Sequence, residues 1–318
     1  MKYYVGIDIG GMSIKAGLVD ACGNILVKES VTTPLNDKNL LKEAIFKLID
    51  SVLKKSEKNI GDIEYVGIGS PGIVNFRTGE VLYASNLGIE KFDICKQVTA
   101  KYGVDCYVEN DANCAVLGEY YFGDAVGFKD VIMVTLGTGV GTGMLINGKV
   151  LVSPGGGGTE GGHMCIVNGG LDCACGAKGC YEKYASASAL ISQTESAMKE
   201  HKDSLLLKYA MQEGEVNGKV AFLAARENDE VAKQVLKKYV EYVGTGIVNI
   251  VNIFRPDLIL IGGGVSNEKE MLIKPVEEYV NSHMFGKDYL EKIPVRQAKL
   301  KNDAGILGAA MLGQNKEG

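Results

Sequence analysis

One histidine and three cysteines stand close enough along this chain to hold a metal: His163, Cys173, Cys175 and Cys180, within HMCIVNGGLDCACGAKGC. A neutral imidazole with three thiolates is a closed tetrahedral donor set of the kind that binds structural zinc. Gly176 and Gly179 let the chain fold back so that the sulfurs converge. A disulfide fits poorly, because Cys173 and Cys175 are too close to pair without strain and three thiols leave one over. The cluster also fixes its neighbours. His163 ends the run GGGGTEGGH, which contains Glu160, and Glu182 lies two residues beyond Cys180. Two carboxylates and an imidazole gathered on loops accept from and donate to vicinal hydroxyls, the recognition chemistry of neutral sugars. His163 would bind the metal through one ring nitrogen and leave the other for a hydroxyl.

A second polar group, in YVENDANCAVLGE (Tyr107–Glu119), places Glu109, Asn110 and Asp111 at the end of a strand, before a helix expected to start near Ala112. A carboxylate there serves as a general base on a hydroxyl held within hydrogen-bond reach. It serves equally as an N-cap that satisfies helix N–H groups and does no chemistry, and spacing alone favours the cap.

Glycine supplies a third group. GIDIGG (Gly6–Gly11) and GTGVGTG (Gly137–Gly143) each read as a strand hairpin turned on glycine, which brings backbone N–H groups to one point without Cβ obstruction and suits phosphate oxygens. Two other glycine runs are decoys. GIGSPG (Gly67–Gly72) has dinucleotide-binding spacing, but IVNFRTG after it is no helix. GMLINGKV (Gly143–Val150) lacks the Ser or Thr of a P-loop and is apolar strand in its middle.

The elements that must carry these groups read as alternating strands and helices. Tyr3–Ile9, Ser13–Val19 and Ile25–Thr32 have strand patterns, with a turn at Asp20–Asn24. From Asn39 to Leu53, residues Leu40, Leu41, Ala44, Ile45, Leu48, Ile49, Val52 and Leu53 fall at helical spacing opposite lysines. Strand Ile63–Ile68 runs into Gly69–Gly72. Val131–Leu136 begins an echo of the start: setting Asp8 on Thr135 puts Gly10 on Gly137, Leu18 on Leu145 and Asp20 on Asn147. After helical segments over Val231–Ile253, strand Leu258–Ile261 and GGGV (Gly262–Val265) repeat Val66–Gly72. Two similar α/β domains facing one cleft are expected, residues 1–117 and 118–301, the larger second one carrying the metal cluster. Asn302–Leu312 reads as a helix capped by Asn302 or Asp303, with residues 302–318 returning to the first domain.

Composition excludes several classes. At 318 residues the chain can build two cores, and its 46% hydrophobic and 23% charged residues are those of a globular protein. A net charge of −5 offers no basic footprint for nucleic acid and no polybasic membrane patch. No apolar run reaches membrane-span length, and MKYYVGIDIGG enters a strand without a leader pattern. A cytoplasmic protein with reduced thiols at Cys22, Cys95, Cys106, Cys114 and Cys165 is expected.

Taken together, GIDIGGMSIKAGLVD, ENDANCAVLGE, VTLGTGVGTG, TEGGHM with CACGAKGCYEKYAS, and LILIGGGVS give a chain that resembles the ROK family of sugar kinases over its whole length. The most specific piece is C-x-C-G-x-x-G-C-x-E following E-x-G-H. The resemblance implies an α/β fold of two ribonuclease-H-like (actin-like ATPase) domains flanking a catalytic cleft. It implies an ATP- and Mg²⁺-dependent kinase acting on the 6-hydroxyl of a hexose, glucose first. By the same resemblance Asp111 is the catalytic base and Asn110, Glu160, His163 and Glu182 contact the sugar. Gly10, Gly11, Gly137, Thr138 and Gly139 hold phosphates, Asp8 lies near magnesium, and Gly263 and Gly264 lie at the adenosine end. The inventory suits phosphoryl transfer, which needs positioning and charge neutralisation more than covalent chemistry. Met12 stands where the family usually has Thr, so a weaker nucleotide contact is expected; Ile89 in SNLGI, which resembles the sugar loop ANLGW, stands where Trp is common and bears on the preference for glucose. An N-acetylmannosamine kinase or another ROK hexokinase is the alternative within the class. A sugar-responsive regulator of the same family would need a helix-turn-helix before the first strand, and with a strand read from Tyr3 none is expected. A homodimer or homotetramer is expected.

Overall fold

The computed structural model describes residues 2–153 and 155–315. They group into two compact units. The first runs through Val131, resumes over Gly143–Thr159 and takes the chain from Lys299 onward; the second comprises Ile132–Thr142 and Glu160–Ala298.

In the first unit, β1 (Tyr3–Ile9) and β2 (Ser13–Asp20) form an antiparallel hairpin, extended by β3 (Ile25–Thr32). Helix α1 (Lys38–Lys55) starts where Asp37 accepts from the N–H groups of Asn39 and Leu40, and leads to β4 (Ile63–Ser70), parallel to β1. Its buried face includes Leu41, Ile45, Phe46, Leu48, Ile49, Val52 and Leu53. Leu40 is not on that face: it is 58% exposed, because it sits one position off the stripe in the first turn. Strands β5 (Ile73–Asn75), β6 (Glu80–Ala84) and β7 (Ile89–Phe92) make a separate small sheet, in which Ile89 is buried. Then α2 (Ile94–Tyr102) leads to β8 (Asp105–Asn110), parallel to β4, and α3 (Asp111–Phe122) leaves β8 with no linker. The main sheet has the order β3-β2-β1-β4-β8.

A second five-stranded sheet contains β9 (Val131–Leu136), β10 (Val140–Ile146), β11 (Lys149–Val150), β12 (Leu258–Gly262) and β13 (Val295–Gln297), ordered β11-β10-β9-β12-β13. Strand for strand this is the plan of the first sheet, which is what the sequence echo implied. Helices α4 (Glu182–Ala185), α5 (Ala187–Glu200), α6 (Leu205–Glu213), α7 (Val220–Arg226) and α8 (Glu230–Phe254) lie between β11 and β12, and α9 (Glu270–His283) between β12 and β13.

The last helix, α10 (Ala304–Met311), is buried along its whole length. It is seated on glycines: a Cβ at Gly6 or Gly67 would overlap the carbonyls of Ile306 or Ala309. Its expected cap is absent. A 3-10 turn, Lys301–Asp303, precedes it, neither Asn302 nor Asp303 caps it, and the Asp303 carboxylate pairs with Lys28 instead. An αR backbone at Asp303 turns the side chain away from the N–H groups that a β-region cap would meet. Among the described residues no helix is long and apolar enough to cross a membrane.

Candidate active site and metal centre

The first unit carries Asp8, Gly10, Gly11, Asn110 and Asp111. At the β8–α3 junction the helix begins one residue earlier than expected, and its cap is Asn110. Asn110 Oδ1 accepts from Ala112 N at 2.9 Å and Asn113 N at 3.4 Å, while its Nδ2 donates to the Gly72 carbonyl at 3.3 Å. Asp111 is therefore the first helical residue, with Oδ1 2.9 Å from Ala112 N. A carboxylate there meets the positive end of the helix dipole. Glu109, only 7% exposed, turns into the protein, where its Oε1 accepts from Asn110 N at 2.8 Å and Asn113 Nδ2 at 3.0 Å. Burial pushes its carboxyl above the ordinary range against those two bonds.

Asn113 was not singled out by its position in the sequence. It is buried, and its Oδ1 accepts from Met144 N and from Thr159 Oγ1, each at 3.4 Å. The one available signal was its place four residues after Glu109, on the same side of the strand–helix junction.

In the first glycine hairpin, Gly10 N donates to Ser13 O at 3.0 Å, and Thr33 Oγ1 donates to Gly10 O at 2.6 Å. Gly10 thus closes the turn, and Gly11 has open space where a Cβ would point. Met12 is 88% exposed, so its side chain takes no part in the core. Asp8 lies 3.9 Å from Lys15 Nζ and packs on the first turn of α10 at Gly305, where a Cβ would crowd its carboxylate. Burial raises its pKa, opposed by Lys15 and Lys28.

The second unit carries Gly137, Thr138, Gly139, Glu160, His163, Glu182, Gly263, Gly264 and the cysteines. Gly137 N closes its own turn onto Gly139 O at 3.0 Å, and Ala187 N and Ser188 Oγ donate to the carbonyls of Gly137 and Thr138. Glu182 Oε2 accepts from Val140 N at 3.0 Å and occupies the space a Cβ on Gly139 would need. The second glycine hairpin and a proposed sugar ligand are thereby joined, a long-range contact with no local signature. Glu160 precedes the turn Gly161–His163; Gly161 N donates to Thr142 Oγ1 at 2.8 Å and His163 N to Glu160 O at 3.0 Å. Burial raises the Glu160 pKa, opposed by His163 and reinforced by Glu182. Gly263, at φ +82°, would overlap the Leu136 backbone if it carried a Cβ, whereas Gly264 faces open space.

The four metal-ligating candidates converge. One ligand atom from each of His163, Cys173, Cys175 and Cys180 lies within 4.8 Å of every other. Cys173 Sγ is 3.7 Å from His163 Nδ1, and Cys175 Sγ is 3.5 Å from Cys180 Sγ. The edges of a tetrahedron with metal–sulfur bonds of about 2.3 Å measure about 3.8 Å, so the spacing fits. The thiols also compete for charge: the Ala177 N–H and the neighbouring sulfurs lower Cys175 to about 7, while burial and the other thiols push Cys180 up to about 12. A divalent cation would remove that conflict. Gly176 at φ +91° and Gly179 at φ +78° make the two turns that close the loop.

The profile of the ROK family matches residues 4–316. A glucokinase from Streptomyces coelicolor is 35% identical, the alignment covering 100% of this chain and 99% of that protein. A xylose repressor from Caldicellulosiruptor bescii is 30% identical over 96% of this chain and 76% of the repressor. Among solved structures, a ROK family glucokinase from Streptomyces griseus in complex with glucose and AMPPNP matches with a TM-score of 0.83 at 34% identity, over 99% of this chain and 100% of that one. With the duplicated sheets, the glycine hairpins and the convergent His–Cys cluster already in place, these matches leave one conclusion: this chain belongs to the ROK family.

Proposed function

We propose that this protein is an ATP- and Mg²⁺-dependent hexose kinase of the glucokinase type, transferring the γ-phosphoryl group to the 6-hydroxyl of glucose. The observation that carries the reading is the identity of the α3 cap. Asn110 takes the cap, and Asp111 opens the helix with Oδ1 on Ala112 N, which supports a role for its carboxylate beyond capping. In this reading Asp111 is the base that takes the proton from the attacking hydroxyl. Among the described residues the proposed hexose contacts have atoms to spare: the second hydrogen of Asn110 Nδ2, Glu182 Oε1, the Glu160 carboxylate, and Nε2 of His163, whose Nδ1 faces Cys173.

Phosphates would lie on the hairpins of Gly10–Gly11 and Gly137–Gly139, and adenosine near Gly263–Gly264. Magnesium near Asp8 would neutralise phosphate charge. Zinc at His163, Cys173, Cys175 and Cys180 would hold the loops of Glu160 and Glu182 in place. Thiolate ligands require a reducing compartment, in keeping with a cytoplasmic enzyme. Similarity to a xylose repressor raises a regulatory reading, in which a sugar binds and no phosphoryl group moves.

The test is Asp111→Asn, which keeps shape and cannot accept the proton. It should lower kcat by roughly 10²–10⁴-fold while glucose binding by calorimetry changes far less. Near-normal kcat in the folded variant would remove Asp111 as base. Absence of glucose-dependent ADP formation by the unmodified protein would favour the regulator, and a panel including mannose and N-acetylmannosamine identifies the preferred sugar.

A further inference from the structure

The segment leading into Glu160 is left-handed for four residues: Gly156 at φ +87°, Gly157 at +72°, Gly158 at +112° and Thr159 at +55°. Three of them are glycines, which adopt this region without cost. The fourth is threonine, and a β-branched residue here is a real outlier whose Cβ opposes the backbone. A fourth glycine would give the same chain path free of strain. Threonine adds a hydroxyl, and that hydroxyl donates to Asn113 Oδ1 at 3.4 Å.

The tether ends on a rigid group. Asn113 is 2% exposed and sits in the first turn of α3; its Nδ2 donates to Glu109, whose Oε1 also holds the backbone N–H of Asn110. Thr159 is thus linked, through Asn113, to the junction that presents Asp111. The chain is pinned on both sides of it. Upstream, Gly157 N donates to Val74 O at 3.3 Å; downstream, Gly161 N donates to Thr142 Oγ1 at 2.8 Å. Between these pins the backbone at 158–160 sets the direction in which the Glu160 side chain leaves the chain.

We propose that Thr159 is a positioning residue for the hexose: its left-handed, tethered backbone sets the direction of the Glu160 carboxylate, and its strain is the cost of a fixed joint in a glycine-rich loop. The inference rests on the reading of Glu160 as a hexose contact. Strain retained at a binding loop predicts a specific dissociation of stability from affinity. Glycine at 159 relieves strain and frees the joint, so the fold gains or holds while the hexose site loses definition. Alanine keeps the strained Cβ and loses the tether. Asparagine tolerates the left-handed region and keeps a side-chain N–H donor for Asn113 Oδ1.

The experiment compares Thr159→Gly, Thr159→Ala and Thr159→Asn with the unmodified protein by glucose saturation, ATP saturation and thermal melting. Thr159→Gly should melt no lower than the parent, yet raise the glucose KM by about tenfold, with kcat and the ATP KM within about twofold. Thr159→Ala should raise the glucose KM similarly and melt lower, and Thr159→Asn should restore the glucose KM to within about threefold. An unchanged glucose KM in Thr159→Gly would overturn the proposal. So would a rise in glucose KM that tracks a fall in melting temperature across all three variants, since that is the behaviour of a purely structural residue. If the unmodified protein phosphorylates no hexose, the kinase reading fails first and this inference falls with it; a working parent with an indifferent Thr159→Gly sinks the inference alone.

Discussion

Three consecutive polar residues at the end of β8 take three different roles because each points a different way. Glu109 is buried beneath the junction, Asn110 caps α3 and Asp111 opens it. Their presence at a strand end was legible in the sequence. Their division of labour was not, because a one-residue shift in the helix start decides which side chain is the cap, and boundaries are where sequence patterns are weakest. Glu109 offers a separate test. Both of its hydrogen bonds go to Oε1, so a glutamine amide oxygen can accept both while removing the buried charge. Because its folded-state pKa is raised, the folded form binds the proton more readily than the unfolded one. Its contribution to stability is therefore full below the ordinary glutamate value of about 4.3 and is lost as pH rises through the raised value. Glu109→Gln should melt higher than the parent at pH 7 and show a flatter dependence of melting temperature on pH between about 4.3 and the raised value, with kcat little changed. A large loss of kcat in this variant would transfer the base role from Asp111 to Glu109.

At the scale of elements, period-two and helical spacing located β1, β2, β3, β4, β9 and α1, and the glycine echo anticipated two sheets of one plan. What the pattern did not reveal is how α10 is held. NDAGILGAAML is apolar on every side, so periodicity names no buried face, and the helix proves buried all round. Its packing is set by glycines on four elements. A Cβ on Gly308 would overlap the Cys114 carbonyl, one on Gly118 the Ala304 carbonyl, and those on Gly6 and Gly67 the carbonyls of Ile306 and Ala309. Backbones at this distance leave no side chain to move aside. Two effects then oppose one another in Gly308→Ala. Helix propensity gains about 1 kcal/mol, whereas overlap in a packed core costs about 1–3 kcal/mol and more where only backbone can yield. Overlap wins here. Gly308→Ala should lower the melting temperature by several degrees, while Gly61→Ala, which meets nothing within 4 Å, should leave it nearly unchanged. A Gly308→Ala protein as stable as its parent would mean that α10 sits further from α3 than these contacts require. The same crowding at Gly305, beside Asp8, ties the helix to the proposed magnesium carboxylate.

Over the whole molecule, the parts of the proposed chemistry are divided between two units that the chain enters more than once, with the base in one and the metal cluster in the other. The cluster was the most legible feature of the sequence because all four candidate ligands are local and their spacing is their geometry. The joining of Glu182 to Gly139, by contrast, spans more than forty residues and follows only from the fold. This contrast makes the metal a test of how local structure organises a distant contact. His163 lies three residues after Glu160, and Cys180 two before Glu182, so release of a metal from this cluster would loosen both carboxylates at once. Protein purified without added metal should contain about one zinc per chain by elemental analysis. Cys175→Ser should lose it, and because Cys175 is exposed the substitution opens no cavity, so the fold should persist by circular dichroism. Glucose affinity by calorimetry should fall in that variant, and ATP binding, proposed to use backbone on the glycine hairpins, should change less. Full glucose affinity in a folded, demonstrably zinc-free variant would show that the fold alone orients Glu160 and Glu182, through Thr142 and Val140, and that the cluster serves only to close its own loop.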